Sequence, residues 1–252
     1  MATLVTFHAH PDDECITCGG VMRKAYEDGH RVVLVVATKG ERGEVPDWLT
    51  GEELWELRVR ETHAAAKVLG VSRVEFLGYK DSGMMGWDSN TEPGSFWSAD
   101  VEEAAGKLAA ILREENADVL TIYDDNGTYG HPDHIQVHRV GKRAGEIAGT
   151  PRVFQQTANR TLAQANPNAP DIVKDPNFGK PDELLTARVD VSEYVSYKRE
   201  AMRAHASQIA EDSWFLAAPD EIFRDIFGTE WFMRAGQGPG ITETDIMGGL
   251  PT

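Results

Sequence analysis

Short, uninterrupted apolar runs alternate with amphipathic helical patterns through the first two-thirds of the chain. The runs are LVTF, RVVLVVAT, RVEFLGY and DVLTIY, and the stretches that follow them place apolar residues at helical spacing. Continuous apolar runs are typical of strands buried on both faces, and strands that alternate with helices form parallel sheets. The alternation therefore predicts an α/β fold: a Rossmann-like, doubly wound, mostly parallel sheet flanked by helices.

The organisation of the chain predicts one domain over residues 1–252 with a small C-terminal extension. Residues 1–150 form the predicted core, whose first helix lies near 14–28. Residues 151–235 hold an irregular excursion, then a strand at TARVDV, a helix that begins at Ser192 and ends near Ala210, and a short aromatic run, TEWFMR. Residues 236–252 are rich in Gly and Thr, which predicts a loose tail.

The excursion runs from about Gln155 to Leu185 and is rich in Asn, Pro and Asp. Long stretches without periodicity are usually functional or disordered. The sequence leaves open whether this stretch is a lid, an oligomer contact or a disordered segment.

Composition excludes several classes of partner. The chain has 25 Lys and Arg against 41 Asp and Glu, a formal net charge of −16 that repels phosphate backbones and anionic lipid surfaces. It lacks both an apolar run near the roughly 20 residues of a membrane span and the zones of a signal peptide. Its two cysteines, Cys15 and Cys18, fit a reducing compartment. We therefore expect a cytoplasmic protein that binds neither nucleic acid nor membranes, and whether it forms a homo-oligomer stays open.

Two segments place histidines and carboxylates after different predicted strands: HAHPDDE after the first and YGHPDH after the fourth. In doubly wound sheets, ligands bind outside the carboxyl ends of the strands. His10 and Asp13 lie three residues apart, as do His131 and His134, so each pair faces one way at the first turn of a helix. Two imidazoles and one carboxylate are the ligands of an open catalytic zinc site. The pattern predicts a metal site on His10, Asp13 and His134.

The remaining acids and bases of these segments have predicted roles. Asp12 is expected to point toward a water molecule at the metal and to act as general base. Asp133 is expected to hydrogen-bond His131 and hold it cationic, so that His131 stabilises an oxyanion or protonates a leaving amine. Tyr129 offers a phenolic O–H to the same oxyanion. The ligand set also matches that of non-haem iron sites, so Fe²⁺ or another divalent ion stays open beside Zn²⁺.

Four other features of the sequence have structural rather than catalytic interpretations. His8 is interpreted as a hydrogen-bonded core residue, and His138, although it follows His134 at the spacing of paired ligands, as a helix-face residue. The CITC stretch is interpreted as small buried side chains rather than a redox pair. His205 in the last predicted helix either reaches the pocket or is an ordinary helical histidine, and both interpretations stay open.

The paired motifs, AHPDDE and GHPDH, closely resemble those of the LmbE/PIG-L family of zinc-dependent N-deacetylases, which act on N-acetylglucosamine-bearing molecules. Similar stretches also include TKGERGEV, LRVRETHAAAKVLGV, YKDSGM and KREAMRAHASQ, so the resemblance covers most of residues 3–210. Within the family it is greatest to enzymes of mycothiol metabolism, namely the deacetylase of N-acetylglucosaminyl-inositol and the amidase of mycothiol conjugates.

The resemblance implies a hydrolase that removes an N-acetyl group from a small aminosugar conjugate by cleaving its linear amide. The implied zinc ligands are His10, Asp13 and His134, the implied base is Asp12, and the implied oxyanion groups are His131 and Tyr129. Implied substrate contacts are Glu44, Arg58 and Asp81, the last two on sugar or cyclitol hydroxyls. The alternatives are an amidase of mycothiol-type thiol conjugates, a deacetylase of antibiotic biosynthesis, and a non-catalytic, metal-containing sugar-binding relative.

Overall fold

Seven strands form one sheet in a computed structural model that describes residues 1–166, 170–214 and 216–252. They are β1 (Thr3–His8), β2 (Arg31–Thr38), β3 (Arg73–Tyr79), β4 (Val119–Tyr123), β5 (Arg152–Thr157), β6 (Ala187–Asp190) and β7 (Thr229–Arg234). The order is β3-β2-β1-β4-β5-β7-β6; β1 to β5 are parallel, and β7 is antiparallel to both of its neighbours, β5 and β6. The predicted α/β fold with a mostly parallel sheet is confirmed.

Helices cover both faces of the sheet. They are α1 (Asp13–Thr17), α2 (Gly19–Glu27), α3 (Leu54–Leu69), α4 (Val101–Glu114), the short turn α5 (Gly127–Gly130), α6 (Pro132–Ala148), α7 (Arg160–Ala165), α8 (Val195–Ala204) and α9 (Asp220–Phe227). The first predicted helix is thus two helices separated at Cys18, and the last predicted helix is shorter than expected because α8 ends at Ala204. Within the described ranges, no helix is both long and apolar enough to span a membrane.

Two apolar layers sandwich the sheet because side chains alternate between its faces. Val5 of β1 and Val33 of β2 face the layer of α4 and α6, whereas Leu4 and Val32 face that of α2, α3 and α8. Every residue of β1 is buried, as expected of a central parallel strand.

The sheet brings the two histidine-rich segments together. β1 pairs in parallel with β2 on one side and β4 on the other, so the carboxyl ends of all three strands meet at one edge. The loop before α1 and the loop between β4 and α6 both leave from this edge. The edge is therefore the position that a doubly wound sheet offers to a ligand.

The excursion is more regular than the sequence indicated. β5 continues to Thr157, inside the stretch expected to be irregular from Gln155, and α7 follows it. Residues 167–169 of the excursion lie outside the described residues. β5 escaped prediction because its sequence, RVFQQT, carries two glutamines where a buried strand usually has apolar side chains.

Part of the C-terminal segment is packed, although a loose tail was expected over residues 236–252, most of which are exposed. The Thr242 N–H donates to the carbonyl oxygen of Thr186 over 2.9 Å, and so extends the sheet edge. Ile246 and Met247 are buried in the apolar layer of α2 and α8. The few apolar side chains among many glycines were too weak a signal to predict this packing.

Candidate metal centre and active site

The end of β1 and the start of α6 bring His10, Asp13 and His134 together. The His10 N–H donates to Asp13 Oδ2 over 2.8 Å, and His10 Nδ1 lies 3.4 Å from the same oxygen. The other carboxylate oxygen, Asp13 Oδ1, lies 3.4 Å from His134 Nε2. The three side chains therefore lie close together. Ring nitrogens of His10, His131 and His134 also lie within 4.8 Å of one another, and the predicted ligand set of His10, Asp13 and His134 stays a prediction.

The chemistry of this cluster fits a divalent cation. His134 is buried, and neither of its ring nitrogens has a hydrogen-bond partner among the described residues. Burial alone would raise the pKa of Asp13, yet His134 and His10 hold that pKa well below its usual value. Buried polar atoms without partners carry a free-energy cost that a metal–ligand bond removes. The donor set, two imidazoles and a carboxylate, is the one that zinc accepts in open catalytic sites.

Asp133 supports His10 and not His131, which corrects the expected contact. Asp133 Oδ2 lies 3.1 Å from His10 Nε2 and accepts the Ser82 N–H over 2.9 Å. Metal-ligating histidines commonly donate their second ring N–H to a carboxylate, which fixes the tautomer and the ring orientation. This contact assigns the proton to Nε2 of His10 and leaves Nδ1 facing Asp13.

The contacts of His131 favour a neutral imidazole, whereas a cation was expected. It is the N-cap of α6, and its Nδ1 accepts the Asp133 backbone N–H over 3.2 Å, so the ring proton is on Nε2. Burial, with His10 and His134 nearby, lowers the pKa of His131 to about 2. The prediction of a cationic His131 held by the Asp133 carboxylate is therefore wrong, and His131 keeps one N–H to donate.

Asp12 has a left-handed backbone conformation, with φ 104° and ψ −31°. Such conformations cost about 1–3 kcal/mol for a non-glycine residue and persist only where the surroundings hold them. The Asp12 N–H donates to Glu14 Oε2 over 2.9 Å, and Arg58 Nη2 lies 3.1 Å from Asp12 Oδ2. Burial raises the pKa of Asp12 to about 6 although Arg58 lowers it, which places this carboxylate in the range of a general base at neutral pH.

Arg58 is buried against Asp12 and neighbouring backbone, and the contact with sugar hydroxyls implied for it stays a prediction. It projects from α3 and is only 3% exposed. Its Nη1 donates to the carbonyl oxygen of Gly40 over 2.8 Å, and its Nη2 donates to Pro11 and Asp12. A Cβ at Gly40, whose φ is 66°, would lie 2.2 Å from Arg58 Nη1, so only glycine leaves room for the guanidinium. Arg58 therefore aligns Asp12.

Asp81 is also largely buried, and the contact with substrate hydroxyls implied for it stays a prediction. Its Oδ1 accepts the Gly83 N–H over 2.8 Å and lies 3.5 Å from His10 Nε2, and the residue is 6% exposed. Of the three residues expected to contact substrate, Glu44 alone has an exposed side chain; its carbonyl oxygen accepts an N–H of Gln208 over 2.8 Å.

Tyr129 stands beside the histidines on a strained turn. Its ring centroid lies 4.9 Å from that of His134 and 6.2 Å from that of His131, in edge-to-face geometry. Thr128 before it has a φ of 68°, and its carbonyl oxygen accepts the Gly179 N–H over 2.7 Å. The excursion thus holds the turn that presents the tyrosine.

Sequence reasoning missed Tyr123, the last residue of β4. Its ring stacks on His134, with centroids 4.4 Å apart and planes 6° from parallel, and its hydroxyl lies 3.1 Å from His8 Nδ1. The Tyr123 carbonyl oxygen also lies 3.0 Å from His138 Nδ1. His8 and His138 therefore contact the cluster through Tyr123, which agrees with their interpretation as structural residues. The signal available for Tyr123 was its place at the end of the predicted strand that precedes the GHPDH motif.

Both cysteines are buried and reduced. The Cys15 thiol donates to the carbonyl oxygen of Asp12 over 2.9 Å, and the Cys18 thiol donates to Gln156 Oε1 over 2.6 Å. Burial raises the pKa of both thiols, which disfavours the reactive thiolate. These contacts support the packing interpretation of the CITC stretch.

Comparisons with known proteins identify the family of the chain. A family model described as "PIG-L: GlcNAc-PI de-N-acetylase" matches residues 5–145. A 1D-myo-inositol 2-acetamido-2-deoxy-alpha-D-glucopyranoside deacetylase of Thermobifida fusca is 40% identical over 279 residues, covering 96% of this chain and 98% of the relative.

Two solved structures share the fold. N,N'-diacetylchitobiose deacetylase from Pyrococcus horikoshii has a TM-score of 0.62 at 24% identity and covers 92% of this chain and 83% of its own. The zinc inhibited form of teicoplanin deacetylase Orf2 has a TM-score of 0.64 at 18% identity and covers 94% of this chain and 100% of its own. At these identities the likeness concerns the fold alone.

Proposed function

The chain belongs to the PIG-L family and is a hydrolytic N-deacetylase, and we propose that its substrate is an N-acetylglucosaminyl-inositol conjugate. The observation that carries the substrate proposal is the 40% identity to the Thermobifida fusca deacetylase over nearly the full length of both chains. The convergence of two histidines, a carboxylate and an aligned second carboxylate at one sheet edge supports the chemistry.

His10, Asp13 and His134 are the residues that would hold the metal, and we propose zinc as the ion. A divalent ion supplies Lewis-acid polarisation of the acyl oxygen and a lowered pKa of a water molecule. Asp133 orients His10 from behind, and Tyr123 stacks on His134. These contacts keep the ligand side chains in place before substrate binds.

Asp12 is the proposed general base. Arg58 aligns its carboxylate, and its pKa of about 6 lets it accept the proton of the attacking water near neutral pH. The bond from the water oxygen to the acyl carbon forms as this proton moves to Asp12. The same proton then passes to the nitrogen as the carbon–nitrogen bond breaks, so the amine and acetic acid leave. The second proton of the water stays on the acid and is lost to solvent, which gives acetate.

His131 and Tyr129 are the proposed oxyanion donors. The neutral His131 ring carries its proton on Nε2, and the Tyr129 hydroxyl keeps its proton because burial raises its pKa. Hydrogen-bond donors aimed at the developing oxyanion stabilise the transition state more than the substrate. Removal of one such donor typically costs about 10²–10³-fold in kcat.

The decisive experiment measures amine release by the zinc-loaded protein, with acetate measured in parallel, because cleavage of the thiol-conjugate amide frees an amine but no acetate. The probes are N-acetylglucosaminyl-inositol, N-acetylglucosaminyl-malate, N,N'-diacetylchitobiose and a mycothiol S-conjugate. We expect the highest kcat/KM on N-acetylglucosaminyl-inositol. A higher value on the thiol conjugate or on chitobiose would replace the proposed substrate, and no acetate from any probe would refute the proposed function.

Two variants test the assignment of roles. Asp12→Ala is expected to keep zinc and lose turnover, whereas His134→Ala is expected to lose both, as read by zinc content and acetate release. Near-normal rates in Asp12→Ala would remove Asp12 as the base.

A further inference from the structure

A buried ion pair behind the metal centre joins the first helix to the last part of the chain. His205 Nε2 lies 2.6 Å from Glu14 Oε1, and both side chains have no exposed surface. The second oxygen, Glu14 Oε2, accepts the Asp12 N–H over 2.9 Å. We propose that the Glu14–His205 pair is a positioning pair that holds Asp12 in its left-handed conformation and so aims its carboxylate at the metal centre. This inference rests on the proposed role of Asp12 as base.

The backbone of Asp12 needs such a partner. Its φ of 104° lies in a region that non-glycine residues rarely adopt, so other contacts must offset the strain. Arg58 fixes the carboxylate end, and Glu14 receives the backbone N–H. A peptide that lost the Glu14 bond would be free to rotate toward an ordinary conformation, and the carboxylate would move with it.

His205 in turn fixes Glu14. A buried carboxylate with one free oxygen would have other rotamers available, and the contact to Nε2 selects the one that reaches Asp12. His205 itself is held where α8 ends: its N–H donates to Met202, and its carbonyl oxygen accepts the N–H groups of Gln208 and Ile209. The end of α8 therefore holds His205, His205 holds the Glu14 carboxylate, and Glu14 holds the backbone of Asp12.

A second metal site is the competing explanation of this cluster. Ligand atoms of Glu14, Cys15 and His205 lie within 4.8 Å of one another, and His205 Nδ1 has no hydrogen-bond partner among the described residues. However, both oxygens of Glu14 and the thiol of Cys15 already make hydrogen bonds, two of them to Asp12. These contacts favour positioning over metal binding, and the metal content of the protein distinguishes the two.

The test compares His205→Leu, which removes the donor, with His205→Gln, whose amide N–H can still reach Glu14. Ser207→Ala is the matched control. Ser207 lies on the same turn and donates to Glu61 over 2.6 Å without contact to Asp12. Each variant is assayed for kcat and KM of acetate release, zinc content, thermal unfolding and crystal structure.

We expect His205→Leu to keep zinc and KM but to lose on the order of 10- to 100-fold in kcat, as a displacement of about 1 Å in a catalytic group does. His205→Gln should recover most of that loss, and Ser207→Ala should lower the unfolding temperature and keep kcat. In the crystal structure of His205→Leu, Asp12 should leave its positive φ.

Four results would overturn the proposal. They are unchanged kcat in His205→Leu, an increase in KM alone, an Asp12 that keeps its φ and carboxylate position in that crystal structure, and two zinc ions per wild-type chain of which His205→Leu loses one. Wild-type protein without activity on any probe would instead refute the proposed function, and the Asp12 conformation in the variant crystal structure would still decide the positioning.

Discussion

Replacing Arg58 with lysine separates two roles that the sequence and the geometry assign to it. Lysine keeps the positive charge but cannot donate to Gly40, Pro11 and Asp12 together, because those acceptors match the fork of a guanidinium. A hydrogen bond to a charged group contributes about 1.5–3 kcal/mol, so the loss of the Asp12 contact should lower kcat by roughly 10- to 150-fold. KM should not change, because the side chain is only 3% exposed and its hydrogen bonds are to Gly40, Pro11 and Asp12.

The control is Arg60→Lys on the same helix. The Arg60 side chain is 58% exposed and pairs with Glu52, so this variant should keep kcat, KM and the unfolding temperature of the wild type. Steady-state acetate release gives kcat and KM for both variants. An increase in KM with unchanged kcat in Arg58→Lys would show that Arg58 binds substrate and would refute the positioning argument.

Three further predictions concern the metal shell and stability. Asp133→Ala should weaken zinc affinity 10- to 100-fold in a chelator competition, because His10 loses its partner, and unchanged affinity would contradict that contact. Lys198→Met should lower the free energy of unfolding in urea by about 3 kcal/mol, because Glu230 stays buried without its cation; a loss under 1 kcal/mol would contradict this. Arg31 and Arg73 lower the pKa of Glu115 from 4.5 to about 2, so Glu115→Gln should cost about 1–3 kcal/mol at neutral pH, and the difference from wild type should shrink as pH falls from about 4.5 toward 2. Urea titrations across that range that show a constant difference would contradict it.

Structural features that depend on residues close together in the sequence were predictable. The parallel strands have continuous apolar runs. The three-residue spacing of His10 and Asp13, and of His131 and His134, indicates that the side chains of each pair lie on one side of a helix. Sheet topology then does the rest, because parallel strands deliver both motifs to one edge. The convergence of His10, Asp13 and His134 follows from these two facts alone.

Features that depend on the direction of a side chain were not predictable in the same way. Arg58 and Asp81 are at the correct edge of the sheet, but each points inward, toward Asp12 and His10 respectively. The contact of His131 was easier to predict. A residue that precedes Pro and Asp at a helix start is the N-cap, and its side chain accepts a backbone N–H there. That rule alone argues against a cationic His131, whose Nδ1 would have no lone pair to accept it.

The C-terminal part of the chain completes the site at a distance that no motif indicates. Glu14 contacts His205 across 191 residues, and Thr128 contacts Gly179 of the excursion. Both contacts hold backbone with positive φ, one at Asp12 and one at Thr128. Asp12 itself and Tyr129, the residue after Thr128, place their side chains at the proposed active site. Strain at a functional residue persists only while remote contacts offset it. The two HPD motifs therefore supply the reactive groups, and the later third of the chain keeps two of them in position.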